Sequence, residues 1–485
     1  MTLPTSRFDF LAEVPPARSL GHVHFVAIGG AGMSGVARIM LGMGLTVSGS
    51  DAKESLVLHA LAAEGAVVHV GHDPAHVAGA DTVVISSAVR EDNVELVAAR
   101  AAGLRVLHRA QALAATMAGN RRVAVAGANG KTTTTSLLTV ALQTCGVDPS
   151  FAVGGELAKQ GTNAHHGSGD VFVVEADESD SSFLVYRPHI AIVTSVQPDH
   201  LDFYGDLETV QEAYRAFVST MEQDGLLVVC VDDPGARDLA EWARERPVRV
   251  LTYGESADAD LRVSDVTHAG LAAGALVHVG EETRRLVLRL PGHHNVLNAT
   301  AAFAVSVVGL GQPPDSILAG LASFTGTRRR FERKGAAAGV VVVDDYAHNA
   351  GKLAAVVATG RQLVGDAGAG RLVVVFQPHL YSRTRDFATE LGRSLAIADV
   401  VVVMDVYAAR EDPVPGISGR LVVDAVLAAR PDADVRYVPS WTHVAPTVAG
   451  LVRSEDLVLT VGAGDVTMIG PKVLRALEDG PGGPS

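Results

Sequence analysis

VAVAGANGKTTTTSLL, Val123 to Leu138, is the stretch from which the rest of the chain can be read. Val123, Ala124, Val125 and Ala126 are small apolar residues of the kind that fill a parallel strand buried on both faces. GANGKT then turns, and Thr133 to Gln143 can run as a helix. Strand, glycine-bearing turn and helix N-terminus together make a phosphate cradle. Gly127 and Gly130 let backbone approach phosphate oxygens, the first helical N–H groups lack partners within the helix, Lys131 brings a charge, and the Thr132 hydroxyl can ligate Mg²⁺. The spacing is G-x-x-G-K-T, shorter than the usual Walker A pattern, because Val125 stands where that pattern has its first glycine. The bland alternative is a tight strand-to-helix turn carrying a solvated lysine, which leaves the grouping of Gly, Lys and Thr without purpose.

Length and composition bound the answer. At 485 residues the chain exceeds one core and points to about three domains. Hydrophobic residues make up 48% and charged residues 19%, yet no apolar run reaches the roughly 18 residues of a membrane span. The start, MTLPTSRFDFLAEVPPARSL, lacks the basic region and apolar stretch of a signal peptide. With Cys145 and Cys230 as its cysteines, the chain has no disulfide framework or zinc site to offer, which favours the cytoplasm. A net charge of −14 argues against nucleic acid as a partner, so an anionic ligand must be held by loops and single basic residues.

Upstream, HVHFVAI (22 to 28) reads as a strand, followed by GGAGMSG and a helical run from Val36 to Leu41. Gly30, Gly32 and Gly35 fit G-x-G-x-x-G, and Asp51 closes a second strand 19 residues after Gly32. Taken alone this fingerprint fits an NAD or NADP enzyme; a tight turn that merely packs helix on strand is the alternative. AVVHV (66 to 70) and TVVISSA (82 to 88) add strands, and a small Rossmann-like domain ends near Asn120.

Downstream, VFVVEADESDSSF places Glu175, Asp177, Glu178 and Asp180 at the end of a strand from Val171 to Val174. IAIVTSVQPDHLDFYGD repeats the arrangement with Asp199 and His200. Ligands of open α/β sheets sit beyond the carboxyl ends of strands, so these groups are expected at the phosphate loop as partners of nucleotide-borne Mg²⁺. Asp177, Glu178 and Asp180 can equally cap helices, whereas Glu175 ends an apolar strand, where a solvated cap is less natural. Leu261 to Leu290 alternates like a small antiparallel patch. PGHHNVLNATAAFAVSVVGLG then reads as a helix with Asn295 and Asn298 near its start, suited to the edge of an adenine ring, or with Asn295 as its cap. FTGTRRRFERKG reads as a domain joint. VVVVDDY, RLVVVFQP, DVVVVMDVY and DLVLTVGAGD make a second parallel α/β domain from about Phe331, ahead of an EDGPGGPS tail expected to be disordered. Its strand ends carry Asp344, Asp345, Tyr346, His348, His379, Arg383, Arg385, Asp405 and Tyr407.

In that order, GKTTTT, EADESD, DHLD, PGHHNVLNA, RRRFE and DDYAHN resemble the nucleotide and metal motifs of the Mur ligases, ATP-dependent amide-forming enzymes of peptidoglycan synthesis. GGAGMSG, GTNA (Gly161 to Ala164), FQPHLYSRTRDF, DVYAAREDPVPGISG and GAGDV are similar to the member that adds the first amino acid; a paralogue that recycles intact tripeptide shares several early motifs. The resemblance spans nearly the whole chain. It implies three α/β domains: a Rossmann-like unit at 1–120 for a UDP-substrate, a central P-loop-type ATPase domain with a mainly parallel sheet at 121–329, and a Rossmann-like amino-acid domain at 330–485. It implies an ATP-dependent acid:amino-acid ligase in the cytoplasm, a monomer or homodimer, joining L-alanine to the lactoyl carboxylate of UDP-N-acetylmuramate through an acyl phosphate, with Mg²⁺.

The same resemblance implies roles for single residues. Gly30, Ala31, Gly32, Met33 and Ser34 would hold diphosphate, with Asp51, Ser87 and Asn163 serving the same substrate. Gly127, Ala128, Asn129, Gly130, Lys131, Thr132 and Thr133 would cradle ATP, with Lys131 on the β,γ-phosphates. Thr132 and Glu175 would bind a first Mg²⁺ and His200 a second. Asn295 and Asn298 resemble the adenine pair, Arg330 and Asp345 would close on phosphates and ribose, and Tyr346, His348 and Arg383 would face the amino acid. Such closure would turn about Thr325 to Arg330. Ala128 and Asn129 stand where the family usually has Thr and His, Ser195 where TN is usual, and Ala350 where Pro is usual. An NAD-linked oxidoreductase would leave the phosphate loop, Glu175 and His200 without work, and a regulatory nucleotide binder would leave the third domain without a substrate.

Overall fold

Runs of buried valine, alanine and isoleucine assemble into three sheets, seen in a computed structural model that describes residues 4, 6–368, 370–409 and 411–479. The first sheet consists of β1 (Val23–Val26), β2 (Val47–Asp51), β3 (Val67–Val70), β4 (Thr82–Ile85) and β5 (Arg105–His108). Its order is β3-β2-β1-β4-β5, every neighbouring pair parallel. Strand order reverses beside β1, so the crevice where such sheets take ligands opens just beyond Val26, at the glycine turn.

The second sheet has ten strands: β6 (Arg121–Ala126), β7 (Ser150–Leu157), β8 (Thr162–His165), β9 (Val171–Glu175), β10 (Ile190–Val193), β11 (Leu226–Cys230), β12 (Arg249–Gly254), β13 (Leu261–Ala269), β14 (Ala272–Val279) and β15 (Glu282–Leu288). Their order is β15-β14-β13-β12-β11-β10-β6-β9-β7-β8. β6 lies between β10 and β9, parallel to both, and Val123 to Ala126 are fully buried. The register aligns Val125 with Glu175 and Ala126 with Val193. Three strand ends therefore release Gly127, Ala176 and Thr194 side by side. β13, β14 and β15 follow one another with two-residue connections, which only antiparallel neighbours permit.

The third sheet takes β16 (Glu332–Ala337), β17 (Val340–Asp345), β18 (Leu372–Phe376), β19 (Val400–Val403), β20 (Asp434–Tyr437) and β21 (Leu457–Val461) in the order β16-β17-β21-β18-β19-β20. β16 is antiparallel to β17 and the rest are parallel.

Three sheets pack as two units. One comprises residues 1–266, 274–288 and 295–324, the other residues 267–273, 289–294 and 325–485. The first two sheets share a unit because one apolar cluster runs through both, from Phe25, Met40 and Leu113 to Phe183, Tyr214 and Phe217. The second unit has its own cores on the two faces of its sheet, around Val374 and Val375.

Two helices begin earlier than the sequence pattern indicates, at Ala31 rather than Val36 and at Lys131 rather than Thr133. Gly30 and Gly130 are themselves the N-caps, so each helix starts inside its glycine motif. Glu478 and Asp479 of the expected disordered tail end a helix, and the remaining six residues lie outside those described. Among the described residues no helix is long and apolar enough to cross a membrane.

Close packing of helices makes two glycines behave oppositely. Replacing a helical glycine with alanine ordinarily gains about 1 kcal/mol in helix propensity. A Cβ at Gly320 would stand 2.7 Å from the Ala141 Cα, which is backbone and cannot yield, whereas one at Gly450 meets nothing within 4 Å. Gly320→Ala is expected to lose about 1 to 3 kcal/mol of stability and Gly450→Ala to gain up to about 1 kcal/mol, as read by denaturant unfolding.

Candidate active site

The loop between β6 and the helix Lys131–Thr144 has room for little but glycine at its two ends. Gly127 sits at φ 134, where a Cβ would lie 2.0 Å from Thr194 Oγ1. Gly130 sits at φ 83, where a Cβ would lie 2.4 Å from Asn298 Oδ1. Between them, Ala128 N–H donates to the Ser195 carbonyl (3.1 Å), Asn129 N–H donates to Ser195 Oγ (3.2 Å), and the Asn129 amide reaches Gln197 (3.0 Å). Thr134 N–H closes a bond to the Gly130 carbonyl, so the amides of Lys131, Thr132 and Thr133 form the first turn at the helix N-terminus.

Side chains fill the mouth of this loop with charge. The Lys131 ammonium donates to the Gly127 carbonyl (2.6 Å) and to Glu178 (2.7 Å). Thr132 donates to Glu175 Oε1 (2.9 Å), whose other oxygen accepts the Gly154 N–H (2.6 Å). His200 Nε2 lies 4.0 Å from Glu178 and 3.9 Å from Asp199. Burial works against the Lys131 ammonium, but Glu178, Asp177 and Glu175 outweigh it and hold its pKa above the usual lysine value. Burial likewise works against the Asp177 carboxylate, and Lys131 and Arg109 overcome it, keeping its pKa low. Asp177 accepts the Ser179 N–H within a loop, Asp180 accepts the Ser182 N–H at the start of the 3-10 helix Ser182–Tyr186, as a cap would, and Glu178 is taken by Lys131. A hydroxyl, several carboxylate oxygens and one imidazole form a hard donor set of the kind Mg²⁺ takes.

The glycine turn after β1 belongs to the same unit. Gly30 caps the helix Ala31–Gly42, and Ser34 N–H closes its first bond, to the Gly30 carbonyl. Met33 and Ser34 have buried side chains, so what this turn offers a ligand from Ala31, Gly32 and Met33 is backbone N–H. Asp51 accepts the Gly29 N–H (3.0 Å) and so shapes the turn. Asn163 donates to the Ala31 carbonyl (3.1 Å), tying β8 to it. Ser87 lies between His108 Nε2 (3.0 Å) and Asp180 (2.7 Å). Burial outweighs the nearby Asp180 and pushes His108 down to about 4, and Nδ1 accepts the Ala110 N–H, so Nε2 carries the proton and donates to Ser87. Ser87 in turn donates to Asp180, a hydrogen-bonded chain from the first sheet to the acidic loop of the second.

Asn295 is the third residue of the helix His293–Ala304, not its cap; it is buried and accepts a hydrogen bond from Asn298 (3.3 Å). Both amides therefore stand as a pair beside Gly130.

Within the second unit, Asp345 ends β17 and accepts the N–H groups of Phe331 (2.7 Å) and Ala347 (2.8 Å). Burial pushes its carboxyl up, against the pull of Arg330. The guanidinium groups of Arg329 and Arg330 lie over the Tyr346 ring, 4.6 Å and 5.6 Å from its centre. His348 Nδ1 meets the Tyr346 carbonyl at 3.0 Å, so Nδ1 carries the proton and Nε2 keeps its lone pair. The His348 ring packs edge-on to His379, and Arg383 adds positive charge nearby.

Arg109 belongs to none of the sequence motifs, yet the fold brings it to the site. Its guanidinium lies against the glycine turn, where a Cβ on Gly32 would meet Nη1 at 2.4 Å, and its charge is felt at Asp177. The sequence does carry a signal for it: Arg109 comes directly after β5, at the carboxyl end of the sheet that bears the glycine turn.

Three family descriptions match successive parts of the chain: the Mur ligase family catalytic domain over residues 22–121, the Mur ligase middle domain over 125–306, and the Mur ligase glutamate ligase domain over 329–464. The UDP-N-acetylmuramate--L-alanine ligase of Kineococcus radiotolerans is 54% identical over 483 residues, 99% of this chain and 100% of that one. The enzyme of the same name from Mycobacterium sp. strain JLS is 50% identical, covering 96% and 97%. Among solved structures, the UDP-N-acetylmuramate-alanine ligase of Thermotoga maritima superposes with a TM-score of 0.77 at 27% identity, over 94% of this chain and 98% of that one. A murein peptide ligase from Psychrobacter arcticus shares the fold, with a TM-score of 0.69 at 23% identity over 95% and 100%.

His348 supplies a pH test of this geometry. Burial, then the Lys352 charge, pushes its pKa down to about 3, so the unfolded chain binds the extra proton first as pH falls below the ordinary histidine value. Stability from the neutral ring is complete above about pH 6.5 and is lost progressively toward pH 3. His348→Asn, which can keep the donor to the Tyr346 carbonyl without a titrating ring, is expected to show a shallower fall of melting temperature between pH 6.5 and pH 4 than the parent.

Proposed function

This chain belongs to the Mur ligase family, and from that premise we propose that it joins L-alanine to the lactoyl carboxylate of UDP-N-acetylmuramate at the expense of ATP. The observation that carries the reading is the placing of a glycine turn and a phosphate loop in one packed unit, joined through Ser87, Asp180 and Asn163. A uridine diphosphate held at Gly30 to Ser34 would then present its sugar toward the acidic loop beside Lys131. On this reading the chain divides into domains at 1–120, 121–329 and 330–485, and the work is done in the cytoplasm.

Each residue serves by holding or by balancing charge. The backbone amides of Ala31, Gly32 and Met33 receive the diphosphate of the first substrate, with Asp51 shaping the turn. The amides of Lys131, Thr132 and Thr133 receive the phosphates of ATP, and Asn295 and Asn298 receive its base. The lactoyl carboxylate attacks the γ-phosphorus in line and ADP leaves, giving an acyl phosphate. The amine of alanine then adds to the acyl carbon, the tetrahedral intermediate collapses, and phosphate departs as the amide forms. Such transfer is mostly positioning and electrostatics, and Lys131 meets the charge that develops on the transferred group. Thr132 and Glu175 would hold one Mg²⁺ and His200 a second, and these ions would further neutralise phosphate charge when bound. Arg330 and Asp345 serve the nucleotide, and Tyr346, His348 and Arg383 serve the amino acid. The unprotonated Nε2 of His348 can accept a hydrogen bond from the amine and orient it, its pKa of about 3 making it a weak base.

Phosphate release from MgATP with UDP-N-acetylmuramate is expected to depend on L-alanine and to fall on the order of 100-fold or more in Lys131→Ala. Glycine, L-serine and L-Ala-D-Glu-meso-diaminopimelate are run beside it. Release that requires the tripeptide would move the protein to peptide recycling, and no release with any of them would end the ligase reading.

A further inference from the structure

Glu178 forms a buried ion pair with the lysine on which the phosphate site depends, and a phosphate at this loop competes with the carboxylate for that lysine. Two of the three ammonium donors are engaged, one by the Gly127 carbonyl and one by Glu178 Oε1. Both partners are withdrawn from solvent, with side-chain exposures of 13% for Lys131 and 4% for Glu178. A triphosphate at this loop competes for the same donors.

The carboxylate has a second destination. Oε1, which accepts from Lys131, is also the oxygen 4.0 Å from His200 Nε2, while Oε2 is buried with no hydrogen-bond partner among the described residues, and burial pushes the carboxyl pKa up against the pull of Lys131. Glu178, Asp199 and His200 each present one donor atom, and the three atoms lie within 4.8 Å of one another. The backbone on both sides is fixed: the Tyr204 hydroxyl donates to the Glu178 carbonyl, and His200 is held at φ 53, in the left-handed region that a histidine seldom adopts. Oxygen and imidazole donors at this spacing suit a hard divalent cation.

We propose that Glu178 is an exchangeable ligand, which holds Lys131 in the nucleotide-free protein and passes to a divalent cation, with Asp199 and His200, when phosphate claims the lysine. One cation thereby replaces another beside the same carboxylate, so the acidic loop is never left without a counter-charge. The inference rests on the nucleotide reading of this loop and adds to it a residue that gates metal against lysine.

The test is Mn²⁺ and ADP binding to the full chain, with free Mn²⁺ followed by electron paramagnetic resonance and ADP binding measured by calorimetry with and without metal. In Glu178→Gln, Mn²⁺ affinity in the presence of ADP should fall roughly tenfold or more. ADP affinity without metal should rise, because Lys131 is released. Asp199→Asn leaves the Lys131 pair intact, so it should weaken Mn²⁺ and leave metal-free ADP binding unchanged; it also decides the matter if Glu178→Gln does not fold. Mn²⁺ affinity within twofold of the parent in either variant overturns the exchange, as does metal-free ADP binding that weakens in Glu178→Gln. If the parent protein binds neither ADP nor Mn²⁺, the nucleotide reading itself falls, and the exchange falls with it.

Discussion

An ammonium among carboxylates is the interaction on which the central site depends. Parallel pairing of β6 with β9 and β10 brings their carboxyl ends together, and the loops leaving those ends carry Asp177, Glu178 and Asp199. Like charges so gathered repel strongly where solvent is thin. Lys131 relieves that repulsion from inside, and it can do so because Gly127 and Gly130 let the loop fold tightly enough to present it there. Removing one partner of such a pair leaves an uncompensated charge, so loop and acids hold each other in place.

The departures from the family pattern have local explanations of their own. Asn129 and Ser195 stand in different segments, yet Asn129 N–H donates to Ser195 Oγ and its amide continues to Gln197. The two departures touch, and the serine satisfies the loop amide. Ala350 is the first residue of the helix Ala350–Ala367, where proline's lack of an N–H would cost nothing and alanine loses nothing either. Asn349 caps that helix by accepting the Lys352 N–H (2.9 Å), so its start is specified without proline. All three leave Lys131, Thr132, Glu175 and His200 present.

Local pattern and spacing make much of this architecture legible in the sequence. The apolar strand before Gly127 and the carboxylates after β9 announce themselves, because a strand buried on both faces is a continuous apolar run that gives way to polar residues at its end. Glu175 is the last residue of its strand and meets Thr132 across the sheet, as its place at an apolar run implies. Asn295 is ambiguous in sequence, since the same residue type caps helices and recognises bases, and only tertiary placement against Asn298 decides between them. Three sheets can be counted from sequence, but that two of them share one core cannot: the cluster joining Met40 on one side to Phe183 on the other is built from residues that read as core wherever they pack. Arg109 is hidden for a related reason. An arginine that opens a helix is ordinary until the fold brings Gly32 against it.

The glycine fingerprint shows how far a motif can carry an argument about ligand. Gly30, Gly32 and a trailing Asp51 describe a backbone that can approach a diphosphate, and such geometry is indifferent to what the diphosphate is attached to. Asp51 is engaged with the Gly29 N–H, which shapes the turn whatever the ligand. What distinguishes this turn is its neighbours: Asn163 from β8 holds the Ala31 carbonyl, and Ser87 links the adjacent strand end to Asp180. Both come from outside the fingerprint, and both connect it to the sheet that bears the phosphate loop. A dehydrogenase has no use for a second phosphate-binding loop wired to its cofactor site, whereas an enzyme that must phosphorylate one bound substrate with another needs such wiring. In the proposed function the choice between the two ligands rests on these hydrogen bonds between sheets rather than on the glycines.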